Sequence, residues 1–256
     1  MRLARVLVAV SIAACGRIDF EALQAPADSA AADSAADSAA LLGPAHYWPL
    51  DEAPGATTAT DTIGAATATL TAPAAFTAGH SRDALASNAG GFASVATTPA
   101  DLLGVAQLTV SAWLQRAAPG AVEQVGQELN GQRPGSNEIS IQAWNDGLIY
   151  FCLGTDGQCG TTPVANDTSW HLVTLVFDGT QATDATRLVG YVDGAAQVLT
   201  RNAAPAIPAL TPTVATRFDL GGVTDNEGFD TGTIDDVRIY DRALAPDEVM
   251  ALYTHT

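Results

Sequence analysis

The sequence contains three cysteines, and two of them are spaced so that they can react with each other. Cys152 and Cys159 are separated by six residues that include Asp156-Gly157, a pair that turns the chain back. Cys152 ends a run of strand-forming residues, so the two thiols can meet across a hairpin. We expect a disulfide, because such cysteine pairs become oxidised in the compartments to which proteins are exported. A free thiol pair is the alternative, but the spacing differs from a Cys-x-x-Cys redox site.

The third cysteine ends a segment that is typical of an exported bacterial precursor. Arg2 and Arg5 precede a short apolar run, Val6 to Ala14, which is too short to span a bilayer because about 20 residues are needed. Ile12-Ala13-Ala14-Cys15 resembles the bacterial lipoprotein box. This resemblance implies a signal peptide over residues 1–14, lipid attachment at Cys15 and a place in the bacterial cell envelope, at the outer membrane or the cell surface. An ordinary secreted protein with an incidental Cys15 is the alternative.

Residues 15–45 follow as the lipidated cysteine and a flexible tether. Three Ala-Asp-Ser-Ala repeats stand between Ala27 and Ala39. The repeats have no aromatic or β-branched residue, so they bury too little surface to offset the entropy of ordering. About 30 such residues reach roughly 30 Å, which would hold the rest of the chain clear of a lipid surface. An Asp-rich metal-binding tract is the alternative.

The overall charge excludes several partners. The chain carries 28 acidic residues against 11 basic ones, a net charge of −17, and all the basic residues are arginine. Nucleic-acid binding needs a basic surface, and so does electrostatic attachment to anionic lipid. Three cysteines and four histidines offer few ligands for a transition metal. Hydrophobic residues make up 47% of the chain, enough for a real core.

Residues 46–256 have the pattern of a single all-β domain. Short runs of alternating apolar and polar residues are separated by turn residues such as Asn, Asp and Gly. In the run that ends at Trp144, the tryptophan lies on the side opposite Ile139 and Ile141, and Asn145-Asp146-Gly147 then predicts a tight hairpin turn. The clearest runs are Leu108–Leu114, Glu138–Trp144, Leu148–Leu153, Trp170–Phe177, Leu188–Val192, Arg217–Gly221 and Thr233–Tyr240.

A single helix is predicted at the end of the chain. Pro246 suits the first turn of a helix, and the acidic residues after it favour a helix N-terminus. Val249, Leu252 and Tyr253 fall on one face, which we expect to dock on the β domain.

Five fragments of the domain together carry a family resemblance. In chain order they are His46-Tyr-Trp-Pro-Leu-Asp-Glu52, Leu108-Thr-Val-Ser-Ala-Trp113, Trp170-His-Leu-Val-Thr-Leu-Val-Phe-Asp-Gly179, Tyr191-Val-Asp-Gly194 and Gly232-Thr-Ile-Asp-Asp-Val-Arg-Ile-Tyr-Asp-Arg-Ala-Leu244. They resemble the laminin-G-like jelly roll of the concanavalin A-like lectin/glucanase fold. The resemblance covers residues 46–256 and implies an all-β sandwich of two antiparallel sheets with a short C-terminal helix, with ligands bound on loops or on the concave face.

Calcium is the metal that the resemblance favours, because similar domains often hold one near the first and last strands. Calcium takes oxygen ligands, and the matching positions here are Asp51 with Asp235 or Asp236. Strict alternation places Asp235 on the same face as Val237 and Ile239, pointing inward, where it needs hydrogen-bond donors. Acidic loops that simply face solvent are the alternative.

The acidic residues do not show the pattern of a glycoside hydrolase. Such enzymes need two carboxylates about 5–5.5 Å apart, or farther apart for inversion, and on a strand this means acids at alternate positions. Asp235 and Asp236 are adjacent and should face opposite sides, and Glu227 and Asp230 are three apart. The four histidines are isolated in the sequence, and no Gly-x-Ser-x-Gly motif occurs. The sequence therefore predicts that the chain is not an enzyme.

The function predicted from these features is that of a non-catalytic, surface-tethered binding or adhesion lipoprotein. The resemblance implies a carbohydrate or a surface protein as ligand. Trp144 with Asn145 and Asp146 is the best candidate site, because sugar sites combine an aromatic platform with polar groups. A second candidate is the loop that carries Asp225, Glu227 and Asp230. The alternatives are a structural component of an envelope assembly and a glycoside hydrolase of the glucanase fold.

Overall fold

The computed structural model describes most of the domain that follows the tether. The described residues are 43–88, 90–128, 138–154, 158–201, 206–214, 217–222 and 231–255, with only the backbone for 124–128. All of them belong to one compact unit, residues 41–256. Cys15 and the loop residues Asp225, Glu227 and Asp230 lie outside the described residues, so the lipid anchor and any role of that loop stay predictions.

Strands dominate this part of the chain. In chain order they are β1 (His46–Trp48), β2 (Thr58–Ala59), β3 (Ala68–Thr71), β4 (Ala75–Ala78), β5 (Asp83–Ala86), β6 (Phe92–Val95), β7 (Gln107–Arg116), β8 (Glu123–Glu128), β9 (Glu138–Ala143), β10 (Ile149–Gly154), β11 (Cys159–Thr162), β12 (Trp170–Asp178), β13 (Leu188–Val192), β14 (Ala195–Ala196), β15 (Thr200–Arg201), β16 (Phe218–Leu220) and β17 (Gly232–Tyr240). The helical segments are a 3-10 turn at Ala100–Leu102, a single α-turn at Asp184–Arg187 and the C-terminal helix at Pro246–His255.

The strands form two antiparallel sheets that pack face to face, as the sequence predicts. Sheet A has the order β14-β13-β12-β7-β17-β5-β4, and β1 also pairs with β17. Sheet B has the order β15-β11-β10-β9-β8-β16-β6-β3-β2. The jelly-roll sandwich expected from the resemblance is confirmed. Among the described residues, no helix is long and apolar enough to cross a membrane.

The core lies between the sheets and follows from the period of two in the strands. Val110 and Leu114 of β7 and Ile139 and Ile141 of β9 are fully or almost fully buried in it. Because successive side chains of a strand point to opposite faces, the intervening residues of these strands lie on the outer faces of the sandwich. The two outer faces then differ in what covers them.

The outer face of sheet A is covered by the C-terminal helix. Val249 and Leu252 are buried against a second apolar cluster that includes Trp113. Tyr253 is 38% exposed at the rim of this cluster, with its ring centroid 5.8 Å from that of Trp113. The predicted helix is therefore confirmed, and it buries an apolar cluster on the outer side of sheet A.

A bulge in β17 overturns two predictions about its acidic residues. Pairing with β7 is interrupted between Asp235 and Arg238, and Asp236 takes a φ of +51°. The extra residue shifts the alternation, so Val237 faces the core, while Asp235 lies opposite Trp113 on the outer side of sheet A. The prediction that Asp235 shares the inward face of Val237 is wrong.

Asp236 lies on the same outer side. Its carboxylate accepts hydrogen bonds from the Tyr47 hydroxyl and, at 3.2 Å, from Arg238, and Arg238 pairs with Ser111, which alternates with the core residues of β7. The expectation that Asp235 and Asp236 face opposite sides is therefore also wrong. It was one of the grounds for predicting that the chain is not an enzyme.

The predicted disulfide is present. Cys152 of β10 and Cys159 of β11 occupy directly paired positions, with their Cα atoms 4.1 Å apart and their sulfurs bonded. The bond joins two neighbouring strands of sheet B on the outer face, because Cys152 also pairs with Ser140.

Asp61 fastens the first strand to the loop that follows it. Its carboxylate accepts backbone N–H bonds from Tyr47 at 3.0 Å, Gly64 at 2.8 Å and Ala66 at 2.9 Å, and it meets Nδ1 of His46 at 2.6 Å. Burial by itself would raise the pKa of Asp61. These hydrogen bonds outweigh burial and lower the pKa to about 2.

We expect the domain to lose stability in acid through Asp61. A pKa of about 2 in the folded protein, against 3.8 ordinarily, means that the stabilisation is present above about pH 4 and is lost as the pH falls through about 2. At neutral pH it amounts to about 2 kcal/mol. Asp61→Asn should lower the free energy of unfolding at pH 7 by about this amount and flatten its decline in acid, as measured by urea denaturation. An unchanged acid decline in this variant would contradict the assignment; Asp247→Asn on the C-terminal helix is the control.

Candidate functional site

The turn between β9 and β10 carries the residues that the sequence singles out. Residues 144–148, here called the Trp144 turn, close with a hydrogen bond from the Trp144 N–H to the Leu148 carbonyl and another from the Gly147 N–H to the Trp144 carbonyl, both 3.0 Å. Gly147 has a φ of +83°, which an L side chain rarely adopts. The predicted hairpin is confirmed.

The register of sheet B decides which side chains accompany Trp144. Side chains alternate between the two faces along β9. If this alternation continues one residue past the strand, Trp144 lies with Gln142 on the outer face, opposite the buried Ile139 and Ile141. Tyr150 of β10 pairs directly with Gln142 and so lies on the same face. The outer face of sheet B therefore presents a tryptophan and a tyrosine beside amide groups.

A buried arginine holds the Trp144 turn in place. Arg116 ends β7 and is 1% exposed. Its guanidinium donates to the carbonyls of Trp144 at 2.9 Å and Leu148 at 3.0 Å, and also to those of Ala121 at 2.8 Å and Ala165 at 3.1 Å. Burial lowers the pKa of Arg116, and the charge of Asp146 opposes that shift. One side chain thus ties the turn to two other loops.

The sequence analysis missed Arg116, although its position carries a signal. It lies in phase with Leu108, Val110, Ala112 and Leu114, the core positions of β7. An arginine at a position where the pattern calls for an apolar side chain indicates a buried charge that must be fully hydrogen-bonded.

Asn166 brings a third loop against the Trp144 turn. Its Oδ1 accepts a hydrogen bond from the Gly120 N–H at 2.8 Å. A Cβ atom at Gly147 would fall 2.5 Å from Asn166 Nδ2, so the Asn166 side chain lies directly against this residue. The exposed amide of Asn166 therefore lies beside the exposed Asn145 and Asp146.

The polar groups of the turn are oriented by one another. The Asp146 carboxylate accepts a hydrogen bond from the Tyr150 hydroxyl at 2.6 Å and one from the Leu148 N–H at 3.0 Å. Trp144 and Tyr150 are each half-buried, whereas Asn145 and Asp146 are exposed. A half-buried indole beside a fixed carboxylate and two amides can stack on an apolar ring face and pair with hydroxyl groups.

Behind the turn, the outer face of β9 is a buried hydrogen-bonded chain. Ser140 donates to the Glu138 carboxylate at 2.7 Å, and the Gln142 amide contacts both Glu138 and, at 2.9 Å, Ser140. A Glu138 oxygen and the sulfurs of Cys152 and Cys159 lie within 4.8 Å of one another. The sulfurs are joined in a disulfide, so they are not the thiolates that a metal site requires.

The three calcium candidates lie near the first and last strands, in two different environments. Asp235 is fully buried; one carboxylate oxygen accepts the Ser81 N–H at 3.0 Å, and the other has no hydrogen-bond partner among the described residues. Burial, with the charges of Asp236 and Asp51, raises the pKa of Asp235 to about 7. Asp51 forms an ion pair with Arg82. Asp236 is instead engaged by Tyr47 and Arg238.

Two histidines that look isolated in the sequence are paired in space. His171 meets Asp193 at 2.8 Å and Asp167 at 3.1 Å, and the hydrogen bond with Asp193 is the main reason that its pKa is raised. His46 lies between Asp61 and Asp101. Asp167 lies four residues before His171, within reach of sequence reasoning. The other three carboxylates lie 15 to 55 residues from the histidine that they contact, so sequence spacing gives no sign of them.

Comparison with known proteins supports the fold. A laminin-G family model described as the concanavalin A-like lectin/glucanases superfamily matches residues 89–250, which confirms the resemblance seen in the sequence. A search of curated protein sequences found no match.

The solved structures that resemble this chain include glycan-binding proteins and hydrolases. Trypanosoma rangeli sialidase in complex with sialic acid matches at 18% identity and a TM-score of 0.56, over 81% of this chain but only 32% of the sialidase. Domain 4 of AbnA, a GH43 extracellular arabinanase from Geobacillus stearothermophilus, in complex with arabinotriose, matches at 17% identity and 0.53, over 82% of this chain and 98% of that domain. The ligand-binding domain of botulinum neurotoxin serotype D, in complex with N-acetylneuraminic acid, matches at 11% identity and 0.57, over 85% of this chain and 52% of the neurotoxin chain.

These comparisons correct one prediction. The expectation that the chain is not an enzyme is contradicted, because the similar structures include sialidases and a domain of an arabinanase. At these identities the similarity shows the fold alone. The chain also spans about a third of the length of the sialidases, so an activity of the whole sialidase does not carry over.

Replacing Arg116 should loosen the Trp144 turn. Arg116→Met leaves four carbonyls without their donor, and each unpaired buried group costs about 1–3 kcal/mol, so we expect the free energy of unfolding to fall by at least about 3 kcal/mol. Hydrogen exchange at the Gly147 and Leu148 amides should accelerate more than exchange in β12. Arg116→Lys keeps the charge but not the fork of donors and should recover only part of the loss. Equal exchange rates in the turn of the wild-type and Met variants would contradict this role.

Proposed function

Because the chain belongs to the concanavalin A-like lectin/glucanase superfamily, we propose that its domain recognises carbohydrate at the Trp144 turn. The observation that carries this proposal is that Tyr150 lies on the outer face of sheet B and that its hydroxyl fixes the carboxylate of Asp146, two residues after Trp144 in the turn. An aromatic surface bordered by oriented polar groups is what a sugar ring requires.

The rigidity of the turn supports the proposal. Arg116 fixes the backbone of Trp144 and Leu148, and Asn166 fits against Gly147. A preformed site loses less conformational entropy when it binds a ligand. The similarity to domain 4 of the arabinanase, whose structure holds arabinotriose, makes arabinotriose a reasonable first probe.

Glycoside hydrolysis is a second candidate function, favoured by two buried carboxylates on the outer face of sheet B. Asp219 of β16 pairs with Gly126 of β8, which pairs with Ser140 of β9, and Glu138 lies two residues from Ser140 on the same face. Two strand spacings across the sheet and two residues along β9 place the Cα atoms of Asp219 and Glu138 about 12 Å apart. The carboxylates of inverting glycosidases are about 6.5–9.5 Å apart, a separation that the side chains of Asp219 and Glu138 could reach.

An assay for reducing sugar tests this second function. Release of reducing sugar by the wild-type domain that is lost in Glu138→Gln would support hydrolysis. No release of reducing sugar from any oligosaccharide that binds would refute it.

We also propose that calcium stabilises the domain at Asp235 and Asp51. The fully buried carboxylate of Asp235 has one oxygen without a hydrogen-bond partner in the described part of the chain, and a nearby cation would offset the cost of burying its charge. Asp51 adds a second carboxylate, 18% exposed, close enough to affect the pKa of Asp235.

Calcium should raise the melting temperature of the wild-type domain by about 5 °C at saturating concentration, since binding to the folded state stabilises it. Asp235→Asn should abolish this increase, while Asp247→Asn should leave it intact. Thermal unfolding with calcium, with magnesium and with a chelator provides the measurement. A wild-type melting temperature that is the same in calcium and in chelator would refute the site.

Trp144→Ala should weaken the binding of arabinotriose, or of whichever neutral oligosaccharide binds tightest on an array, by about 10-fold or more, as expected when a central aromatic is truncated. Trp144→Phe should retain part of the affinity, because it keeps a ring for stacking. Tyr253→Ala, which removes a partly exposed aromatic on the C-terminal helix, is the matched control. Isothermal titration calorimetry gives the affinities, and no binding by any oligosaccharide to the wild-type domain would sink the proposal.

A further inference from the structure

We infer that the Trp144 turn selects uncharged glycans over glycans that carry a carboxylate, such as sialylated or uronic-acid chains. This inference rests on the proposed function and narrows it to a ligand class. The inference is argued from the charged side chains around the turn, which are a property of this sequence and not of the shared fold.

The exposed charges in the described part of the turn are negative. Asp146 is exposed on the turn itself, and Asp167, which forms an ion pair with His171, is exposed one residue after Asn166, the residue that packs on Gly147. A ligand carboxylate bound at the turn would be repelled by Asp146. Repulsion between the ligand carboxylate and a protein carboxylate weakens binding most where no cation lies between the two.

Two cationic side chains in the described part of the chain near the turn, Arg116 and His171, are engaged by other groups. Arg116 is buried, and its guanidinium points at the carbonyls beneath the turn. His171 lies between Asp167 and Asp193. In the described part of this neighbourhood, neither residue offers the accessible, forked donor that usually binds a carboxylate.

The remaining outer face of sheet B and the chain as a whole add to this preference. Arg217 donates from Nε to the Asp219 carboxylate at 2.7 Å. The chain has no lysine and a net charge of −17, so its long-range field repels anions as they approach. Arg133 lies outside the described residues and is not part of the inference.

A neutral sugar, by contrast, gains from the same groups. Its hydroxyls can donate to the Asp146 carboxylate and accept from the amides of Asn145 and Asn166, while its ring stacks on Trp144. The shared fold would suggest sialic acid as readily as arabinotriose, because similar structures hold one or the other. The local charges favour the neutral class.

The experiment compares neutral trisaccharides (arabinotriose, xylotriose, cellotriose) with 3′-sialyllactose and trigalacturonate by calorimetry at low and high salt. We expect at least one neutral sugar to bind, with an affinity that salt does not change. The acidic sugars should bind at least about 10-fold more weakly at low salt, and the gap should narrow at high salt as repulsion is screened. Tighter binding of an acidic sugar overturns the inference and leaves carbohydrate recognition standing. If neither the neutral nor the acidic sugars bind, both this inference and the proposed carbohydrate recognition are overturned.

Asp146→Asn separates the charge from the shape of the site. This variant keeps an oxygen for the Leu148 N–H but removes the negative charge. It should bind the neutral sugar about 10-fold more weakly, because a charge-assisted hydrogen bond is lost, and its preference for neutral over acidic sugars should shrink. Asp247→Asn removes a carboxylate on the C-terminal helix and should change neither value. An unchanged preference in Asp146→Asn, with an unfolding curve like that of the wild type, would also overturn the inference.

Discussion

The hydrogen bonds of the buried Arg116 are the constraint on which the candidate site depends. A guanidinium without water around it must use its donors on protein acceptors, and here the acceptors are backbone carbonyls from three separate loops. The hydrogen bonds that compensate the buried charge therefore fix the relative positions of those loops. They also hold the backbone of the Trp144 turn in place, and the turn in turn orients Asp146 and Tyr150.

The outer faces of the two sheets differ in the side chains that they present. The C-terminal helix covers the outer face of sheet A with apolar contacts around Trp113. The outer face of sheet B keeps polar side chains, and Glu138, Ser140 and Gln142 are hydrogen-bonded to one another. A disulfide ties β10 to β11 beside that chain. The ligand site that we propose lies on sheet B, at the Trp144 turn.

Much of this arrangement follows from patterns within the sequence. Alternation over Leu108–Leu114 and Glu138–Trp144 predicts the core faces, Asn145-Asp146-Gly147 predicts the turn, and the pattern of Val249 and Leu252 predicts the docked helix. Alternation failed at Asp235, because a bulge is an extra residue that depends on how two strands pair. The conclusion about catalysis failed partly for the same reason, since it assumed regular spacing of the acidic residues.

The sequence by itself determined the main strands, most of their inward faces, the disulfide and the turn after Trp144, because these depend on residues close together in the chain. Only the tertiary structure decided which groups surround that tryptophan. The register of β9 and β10 places Tyr150 on the same face. Arg116 reaches the turn from the end of β7 and Asn166 from a loop, each about 20 to 30 residues away along the chain. Periodicity is a local property of a chain, whereas the pairing of a buried charge with distant carbonyls is settled when the sheets pack and water is excluded.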